Sequence, residues 1–365
     1  MRLYLYAMKR TPIVLLLLCA IAQSLVAQNQ SAWHVQASGG FLAPHHRSMQ
    51  YLVSEHVYQL QAGFRLGFSG NNSWLKHWRS PDILLTANYA DLGNRATMGE
   101  AFSLLVSANI PIVKQKNSAL YYTLGTGPSW LTRPFDAENN YYQIAIASHL
   151  NAHVRLALGY AFGFAADARS KFHLLLSFDH FSNGCFKEPN LGLNLISLGS
   201  AVSVGYGRPI TVNDASVNSK KNTRYTAIYV TGGVKQYAAY DTEFYYIGSV
   251  YTNHNYFVSE HRALGAGVDF IHDKSIEHYY RDGFGIENTR TFRMGFHVNQ
   301  DLYFNKLVLT VQLGVYVINP KKDDGLIYDR IGLKYQFNKH FIAGLMLKSH
   351  ISVADCFELT LGYRF

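Results

Sequence analysis

The chain has 365 residues, of which 48% are hydrophobic, 14% aromatic and only 16% charged, and its mean hydropathy is −0.05. The aromatic content argues against disorder, and the single long apolar run, at the N-terminus, argues against a bundle of membrane-spanning helices. A formal charge of +9 without a long basic run argues against nucleic-acid binding. Low charge with balanced hydropathy is typical of alternating polar and apolar residues, as in an antiparallel β-barrel of the bacterial outer membrane.

Residues 1–27 have the pattern of a secretory signal peptide. Basic residues precede the apolar stretch 13–22, and residues 25–27 fit a cleavage site before Gln28. Because this segment carries three basic and no acidic residues, its removal lowers the formal charge from +9 to +6. We therefore expect an exported chain with a mild positive charge, which suits a surface that faces anionic lipid.

Segments of about ten residues with alternating apolar side chains, separated by polar breaks, predict the strands. In the first half, residues 28–207, the predicted strands are 33–41, 57–68, 83–92, 101–110, 120–130, 150–162, 172–182 and 193–206. Residues 208–224 are polar without periodicity and predict a turn or linker. In the second half, residues 225–365, the predicted strands are 225–237, 244–251, 262–272, 291–302, 307–318, 328–337, 341–351 and 357–365.

The last predicted strand has one alternating apolar face that ends in the aromatic residue Phe365. This pattern resembles the signal that the outer-membrane barrel assembly machinery reads, so we expect that machinery as a partner. A sheet edge in lipid would leave backbone groups unpaired, and the sheet must therefore close. One barrel of 12–16 strands is favoured because both halves have membrane-type alternation, and an eight-stranded barrel followed by a second β region is the alternative.

The stretch 172–194, FHLLLSFDHFSNGCFKEPNLGLN, contains polar residues in unexpected positions. The even-numbered residues 172–178 are apolar and predict a lipid-facing side, which His180 and Ser182 continue, whereas Asp179 points into the lumen. Asn194 shares the corresponding face of the next strand. Polar side chains are costly on a lipid face, so these three indicate a functional site. If the N-terminus is periplasmic, the site lies at the extracellular rim.

A His and a Ser two residues apart on one strand lie side by side, which lets the imidazole of His180 act as general base for Ser182. A third polar group must hold the ring, and Asn194 offers a side-chain carbonyl for this. Asn183 and the backbone near Gly184 are candidates for the oxyanion donors. Glu188, in the following loop, is the alternative orienting acid if that loop folds back.

The remaining titratable residues suggest no second site. Cys185 and Cys356 are expected to be free thiols rather than a disulfide framework. No metal-binding spacing of Cys and His is present, and we expect neither a metal nor another cofactor. The pair His45 and His46 has no partner at a meaningful spacing, so both are interpreted as rim residues near anionic headgroups.

The runs His180-Phe181-Ser182-Asn183-Gly184 and Pro189-Asn190-Leu191-Gly192-Leu193-Asn194 resemble the signature of the lipid A 3-O-deacylase (PagL) family, also described as acyloxyacyl hydrolases. The resemblance implies an outer-membrane barrel with a lipid-facing Ser182 nucleophile, a His180 base and Asn183 at the oxyanion hole. It also implies removal of an ester-linked acyl chain from lipopolysaccharide. The segments 347–350 and 354–365 resemble longer Bacteroidetes-type members.

One position departs from that family, because the small deacylases carry Glu where this chain has Asn194. Outer membrane phospholipase A has a similar His-x-Ser-Asn-Gly motif and an Asn at the same spacing from its His. That second resemblance implies a calcium-dependent, dimeric phospholipase, although the run 189–192 is similar to the deacylases. It gives precedent for a triad of His180, Ser182 and Asn194.

The sequence therefore predicts an outer-membrane serine esterase that acts on lipid A of lipopolysaccharide in the outer leaflet. No nucleic-acid partner is expected, and the oligomeric state is left open. Two alternatives remain: a calcium-dependent phospholipase A, and a barrel without enzymatic activity that serves as a channel or structural protein.

Overall fold

The structure is a computed structural model that describes residues 31–69, 72–164, 170–205, 210–211, 224–239, 241–278, 291–351 and 353–365. The predicted signal peptide lies outside the described residues, as does most of the predicted linker 208–224. Among the described residues, no helix is long and apolar enough to cross a membrane. Nearly all regular structure is antiparallel β-strand, which confirms the predicted all-β class.

The first half of the chain forms eight long strands and one short one. They are β1 Ser31–Leu42, β2 Val57–Ser69, β3 Asp82–Asp91, β4 Glu100–Lys114, β5 Ser118–Leu131, β6 Leu150–Gly163, β7 Lys171–Ser182, β8 Leu193–Gly205 and β9 Ile210–Thr211. The short strand β9 lies within the predicted linker and pairs in parallel with the end of β2. A 3-10 helix, Arg47–Leu52, follows β1, and a short helix α1, Ser73–His77, follows β2.

The second half forms eight strands. They are β10 Arg224–Lys235, β11 Tyr245–Ser259, β12 Arg262–Asp273, β13 Phe292–Phe304, β14 Leu307–Ile318, β15 Ile327–Gln336, β16 Phe341–His350 and β17 Val353–Arg364, with a 3-10 helix at Lys322–Asp324. The predicted end of β11 at residue 251 is wrong, because the strand continues to Ser259. Asn253 and Asn255 are fully buried inside the barrel, so polar residues that resemble a break belong to its inner face.

The sheet closes twice rather than once. β8 pairs with β1, for example Ser200 with Ala37, and so closes the first eight long strands into a barrel. β10 pairs with β17, for example Val230 with Leu361, and closes a second barrel of eight strands. The expectation of one barrel of 12–16 strands is therefore wrong. The alternative of an eight-stranded barrel plus a second β region describes the molecule, because each half pairs its own sheet edges.

Alternate residues of each strand face inwards and outwards, as a closed barrel requires. In β17 the even-numbered Glu358 and Thr360 are buried, whereas Leu359 and Leu361 are 71% and 68% exposed. The predicted apolar face of the last strand is thus on the outside. Ion pairs cross the interior of the second barrel, where Arg330 bonds both Asp269 and Glu358.

An apolar cluster closes the end of the first barrel that carries the long loops. Phe181, Leu193 and Leu195 point inwards from β7 and β8 and are almost fully buried against residues of the loops. On β7, Phe181 lies between His180 and Ser182, and on β8, Asn194 lies between two inward-facing leucines. These three polar residues therefore point outwards. The cluster fixes the height and direction of the strand ends on which these polar residues lie.

The two barrels touch at both ends. At the end with the short turns, Trp78 donates its Nε1 hydrogen to Tyr303 O (3.0 Å) and stacks on Phe304 with ring centroids 4.4 Å apart. At the end with the long loops, Phe186 lies against Phe244 with centroids 5.0 Å apart. The barrels therefore stand side by side with the same ends together.

Candidate active site

The structure brings His180, Ser182 and Asn194 to one end of the outer face of the first barrel. His180 of β7 and Asn194 of β8 are direct partners in the strand register, and Ser182 follows two residues along β7. Both strands show outward exposure at the same even-numbered positions below the site. Ser182 itself is buried, at 6% exposure, because the loop 183–192 folds over it; we call this segment the active-site loop.

Asn194 links two histidines. Its Oδ1 atom lies 2.6 Å from His180 Nδ1, and its Nδ2 atom lies 3.0 Å from His45 Nδ1. An amide oxygen only accepts and an amide nitrogen only donates, so this arrangement puts a proton on His180 Nδ1 and a lone pair on His45 Nδ1. His45 is therefore not merely a rim residue, as the sequence suggested, but the outer neighbour of the His180–Asn194 pair.

Ser182 bonds to Asn190 rather than to His180. Ser182 Oγ is 3.0 Å from Asn190 Nδ2 and 3.3 Å from Asn190 Oδ1. No hydrogen bond joins His180 to Ser182 in the part of the chain that the structure describes. The sequence pattern does not indicate a role for Asn190, although it belongs to the signature run, because a loop residue gives no periodic signal.

The amides after Ser182 point at the same cluster. The Gly184 N–H donates to Ser182 Oγ (3.1 Å), and the Asn183 N–H donates to Asn190 Oδ1 (3.0 Å). The side-chain amide of Asn183 is used elsewhere, because it donates to Ser148 Oγ (3.0 Å) and Lys187 O (2.7 Å). The main-chain amides of Asn183 and Gly184, rather than the Asn183 side chain, therefore face Ser182 and its partner Asn190.

Gly192 lets the active-site loop pass close to His180. Its φ is +79°, and a Cβ atom there would lie 2.8 Å from His180 Cε1. The Gly192 N–H donates to Ala145 O (2.9 Å), which ties the loop to the preceding long loop of the barrel. Only glycine fits both the backbone conformation and the close approach.

Glu188 is not brought to His180. Its Oε2 atom accepts from the Asn190 N–H (2.9 Å), so it holds the backbone of the residue that contacts Ser182. Burial raises the pKa of Glu188, and burial likewise raises the pKa of the Cys185 thiol well above its usual value. Cys185 accordingly donates its proton to Ala354 O, and both Cys185 and Cys356 are free.

The interior of the first barrel holds a separate polar group. Asp179 accepts from Gln59 Nε2 (3.1 Å) and lies 2.9 Å from His153 Nε2. It points into the lumen, as the sequence predicted, on the opposite side of β7 from His180. Within the described residues, no group of three or more His, Cys, Asp or Glu side chains is placed to hold a metal ion.

Among solved structures, the outer membrane enzyme PagL is 16% identical, covers 46% of this chain and 97% of its own length, and has a TM-score of 0.32. The translocator domain of the autotransporter NalP from Neisseria meningitidis is 11% identical, covers 98% of each chain and has a TM-score of 0.22. Outer membrane phospholipase A from Escherichia coli is 10% identical, covers 92% of this chain and 91% of its own, and has a TM-score of 0.18. No curated protein matches the sequence.

Family profiles match both halves of the chain. Residues 59–203 match the profile "Lipid A 3-O-deacylase (PagL)", and residues 224–365 match "Acyloxyacyl hydrolase, C-terminal domain". The first match contains His180, Ser182, Asn194 and the active-site loop, and the second spans the second barrel. Both profiles describe hydrolases, and the barrel is of the outer-membrane kind. The chain therefore belongs to the lipid A 3-O-deacylase (PagL) family of outer-membrane hydrolases.

Proposed function

We propose that this protein is a serine esterase that removes an ester-linked acyl chain from lipid A, with Ser182 as nucleophile, His180 as general base and Asn194 as the residue that orients His180. The observation that carries the proposal is the 2.6 Å contact between His180 Nδ1 and Asn194 Oδ1, on the outer face of the barrel beside Ser182. The family match supports the substrate class, and this geometry supports the roles.

The proton transfers follow from the tautomer. With Nδ1 protonated against Asn194, the Nε2 lone pair of His180 is free to take the Ser182 hydroxyl proton. Ser182 Oγ then attacks the ester carbonyl, and the imidazolium returns the proton to the departing sugar hydroxyl. Water then gives a proton to His180 and attacks the acyl-enzyme. His180 returns that proton to Ser182 as the fatty acid leaves.

The Ser182 hydroxyl hydrogen must turn from Asn190 Oδ1 towards His180 for this reaction, whereas Asn190 Nδ2 can continue to donate to Ser182 Oγ. Asn190 Oδ1 accepts from the Asn183 N–H, as the ester carbonyl oxygen would in a bound substrate. We propose that the ester displaces this side-chain oxygen and takes hydrogen bonds from the amides of Asn183 and Gly184. In many unliganded enzymes the catalytic hydrogen bonds are long or absent, and they form only when substrate binds.

The wall below the site suits an acyl chain. Leu176 and Phe178 on β7 and Leu156 on β6 point outwards and are 53%, 37% and 45% exposed. An acyl chain that lies along these residues in the outer leaflet brings its ester group to the height of Ser182. The long loops at this end of the barrel are the kind that face the cell exterior, where lipid A resides.

A phospholipase A is the second candidate function, because Asn194 has the spacing of the Asn that completes the triad in the phospholipase resemblance. Lipid extracts of cells with and without the protein separate the possibilities. Loss of one acyl chain from lipid A supports the deacylase, and accumulation of lysophospholipid supports the phospholipase. Unchanged lipids in both classes would contradict an esterase and leave a structural barrel.

A further inference from the structure

The second barrel holds the active-site loop of the first. The Gln236 N–H donates to Cys185 O (3.3 Å), and the Gln236 side-chain Oε1 accepts from the Glu188 N–H (3.0 Å). Cys185 Sγ donates to Ala354 O (2.6 Å). Gln236 directly follows β10 and Ala354 lies in β17, so three hydrogen bonds tie the loop to the second barrel.

Phe357 adds a steric contact at Gly184. Gly184 has a φ of +63°, and a Cβ atom at that position would lie 2.4 Å from Phe357 Cδ2. The ring of Phe357 therefore lies directly against the backbone of the residue whose N–H donates to Ser182 Oγ. A shift of Phe357 away from the loop would remove this steric restraint on Gly184.

The contacts of the second barrel with the active-site loop reach Ser182 through neighbouring loop residues. Cys185 follows Gly184, whose N–H bonds Ser182 Oγ at 3.1 Å. Glu188 bonds the Asn190 N–H through its carboxylate, and the Asn190 side chain bonds Ser182 Oγ. The second barrel thus holds both groups that contact the Ser182 hydroxyl, although neither Gln236 nor Phe357 touches it.

The holding residues are themselves fixed from inside the second barrel. Lys235, next to Gln236, bonds Asp273 (3.0 Å) and Asp355 in the interior. Asp355, next to Ala354, also bonds Lys348 (2.5 Å). All four side chains are buried, and a buried pair of this kind resists separation because each partner would be left as an unpaired charge. The end of β10 and the start of β17 are therefore a stable support.

We propose that the second barrel positions the nucleophile: Gln236 and Phe357 hold the active-site loop so that the Gly184 amide and the Asn190 side chain stay beside Ser182. This inference rests on the esterase function proposed above. Gln236 and Phe357 are positioning residues, and they act through the loop rather than on the substrate. The second barrel is then required for turnover without contributing a group to the chemistry.

The kinetic test compares Gln236→Ala and Phe357→Ala with Gln300→Ala and Phe296→Ala in the full chain, with detergent-solubilised lipopolysaccharide as substrate. Gln300 accepts a hydrogen bond from Arg262 (3.1 Å) within the second barrel, and Phe296 is 53% exposed on its outer face. We expect kcat to fall by about tenfold or more in the first pair, with KM within about twofold, and to stay unchanged in the controls. Phe357→Leu should recover most of the loss.

A second measurement does not depend on activity. Cys185 is buried and protonated, so maleimide labelling at Cys185, located by peptide mass spectrometry, should be slow in the wild-type protein. Gln236→Ala and Phe357→Ala should speed this labelling about tenfold or more, by loosening the loop, and the controls should not. Heat-modified gel mobility verifies that each variant barrel is folded.

The outcomes distinguish this inference from the proposed function. If the wild type releases fatty acid and Ser182→Ala does not, while Gln236→Ala and Phe357→Ala keep wild-type kcat, the positioning role is wrong and the esterase remains. If Cys185 labelling is unchanged in both variants, the contacts do not hold the loop and the inference is overturned, whether or not the wild type is active. Faster labelling together with a lower kcat supports it.

Discussion

Asn194 holds His180 through a neutral amide oxygen, and this determines how the pair should respond to substitution. We expect Asn194→Ala to lower kcat by about tenfold to a thousandfold, which is less than the loss in Ser182→Ala, because the base and nucleophile remain. Asn194→Glu should keep substantial activity with a shifted pH profile, since a carboxylate can also accept from His180 Nδ1. Steady-state kinetics across pH on purified variants measure both effects. Wild-type kinetics in Asn194→Ala would remove Asn194 from the site.

Asn190 offers a sharper test, because its Asp variant has nearly the same shape as the native Asn side chain. Asn190→Ala should lower kcat because Ser182 Oγ loses its 3.0 Å partner. Asn190→Asp should lower kcat further, because it replaces the Nδ2 donor by an oxygen and adds negative charge where the tetrahedral intermediate becomes negative. The same fatty-acid release assay ranks the two variants. An Asp variant more active than the Ala variant would contradict this placement of the oxyanion.

His45 tests the part of the site that sequence reasoning missed. His45→Ala removes the acceptor for Asn194 Nδ2, so Asn194 loses one of its two anchors but still contacts His180. We expect a smaller loss of kcat than in Asn194→Ala, with the neighbouring His46→Ala as a control that leaves kcat unchanged. A loss equal to that of His180→Asn would mean that His45 is itself the base.

The sequence pattern predicted that His180, Ser182 and Asn194 lie together on one outer face, because two of them share one strand and the third lies at a fixed spacing on the next. His45 lies 149 residues from Asn194, in a loop where no periodicity relates it to the site. Asn190 depends on how the active-site loop folds back, which is set by Gly192, by the contacts of Glu188 and by the second barrel. Local alternation therefore indicates strand residues and misses partners that loops supply.

At the level of β7, the alternation of inward and outward residues explains how the site is held. Phe181 is fully buried in the apolar cluster between His180 and Ser182, whereas Phe178 is 37% exposed on the outer face. Phe181→Ala should destabilise the protein by about 3–5 kcal/mol, because it leaves a cavity beneath the site. Phe178→Ala should cost less than half as much, since lipid or detergent fills the space.

Urea unfolding of the refolded protein in detergent compares the two variants with wild type. Equal destabilisation by Phe181→Ala and Phe178→Ala would contradict the assignment of inner and outer faces in β7. The same rule of alternation predicted all sixteen long strands from the sequence. It failed at the end of β11, because Asn253 and Asn255 of the polar inner face look like a polar break between strands.

For the whole molecule, the number of barrels depends on which strand edges pair, and this is a long-range choice. The register of β1 with β8 joins residues about 170 positions apart, such as His34 and Ser203, whose side chains also bond at 2.9 Å. Alternation within a strand is the same in a barrel of eight or sixteen strands. The sequence pattern therefore predicted the class of fold but not that each half closes by itself.

The filled interiors predict that neither barrel conducts ions. In the second barrel Arg330 bonds Asp269 (2.5 Å) and Glu358 (2.7 Å) across the lumen, and in the first Asp179 is bonded by Gln59 and His153. Eight strands leave an interior just wide enough for side chains. Protein reconstituted into planar bilayers should show no stepwise conductance above that of bare lipid. Stable ohmic steps would support the channel alternative.

Mass spectrometry of lipid A after incubation with the purified protein tests the central claim most directly. The wild type should convert lipid A to a species lighter by one ester-linked acyl chain, with one equivalent of free fatty acid. Folded Ser182→Ala should leave the lipid A mass unchanged, because loss of a nucleophile costs several orders of magnitude in rate. Intact lipid A with the wild type, or equal acyl loss with Ser182→Ala, would contradict the account.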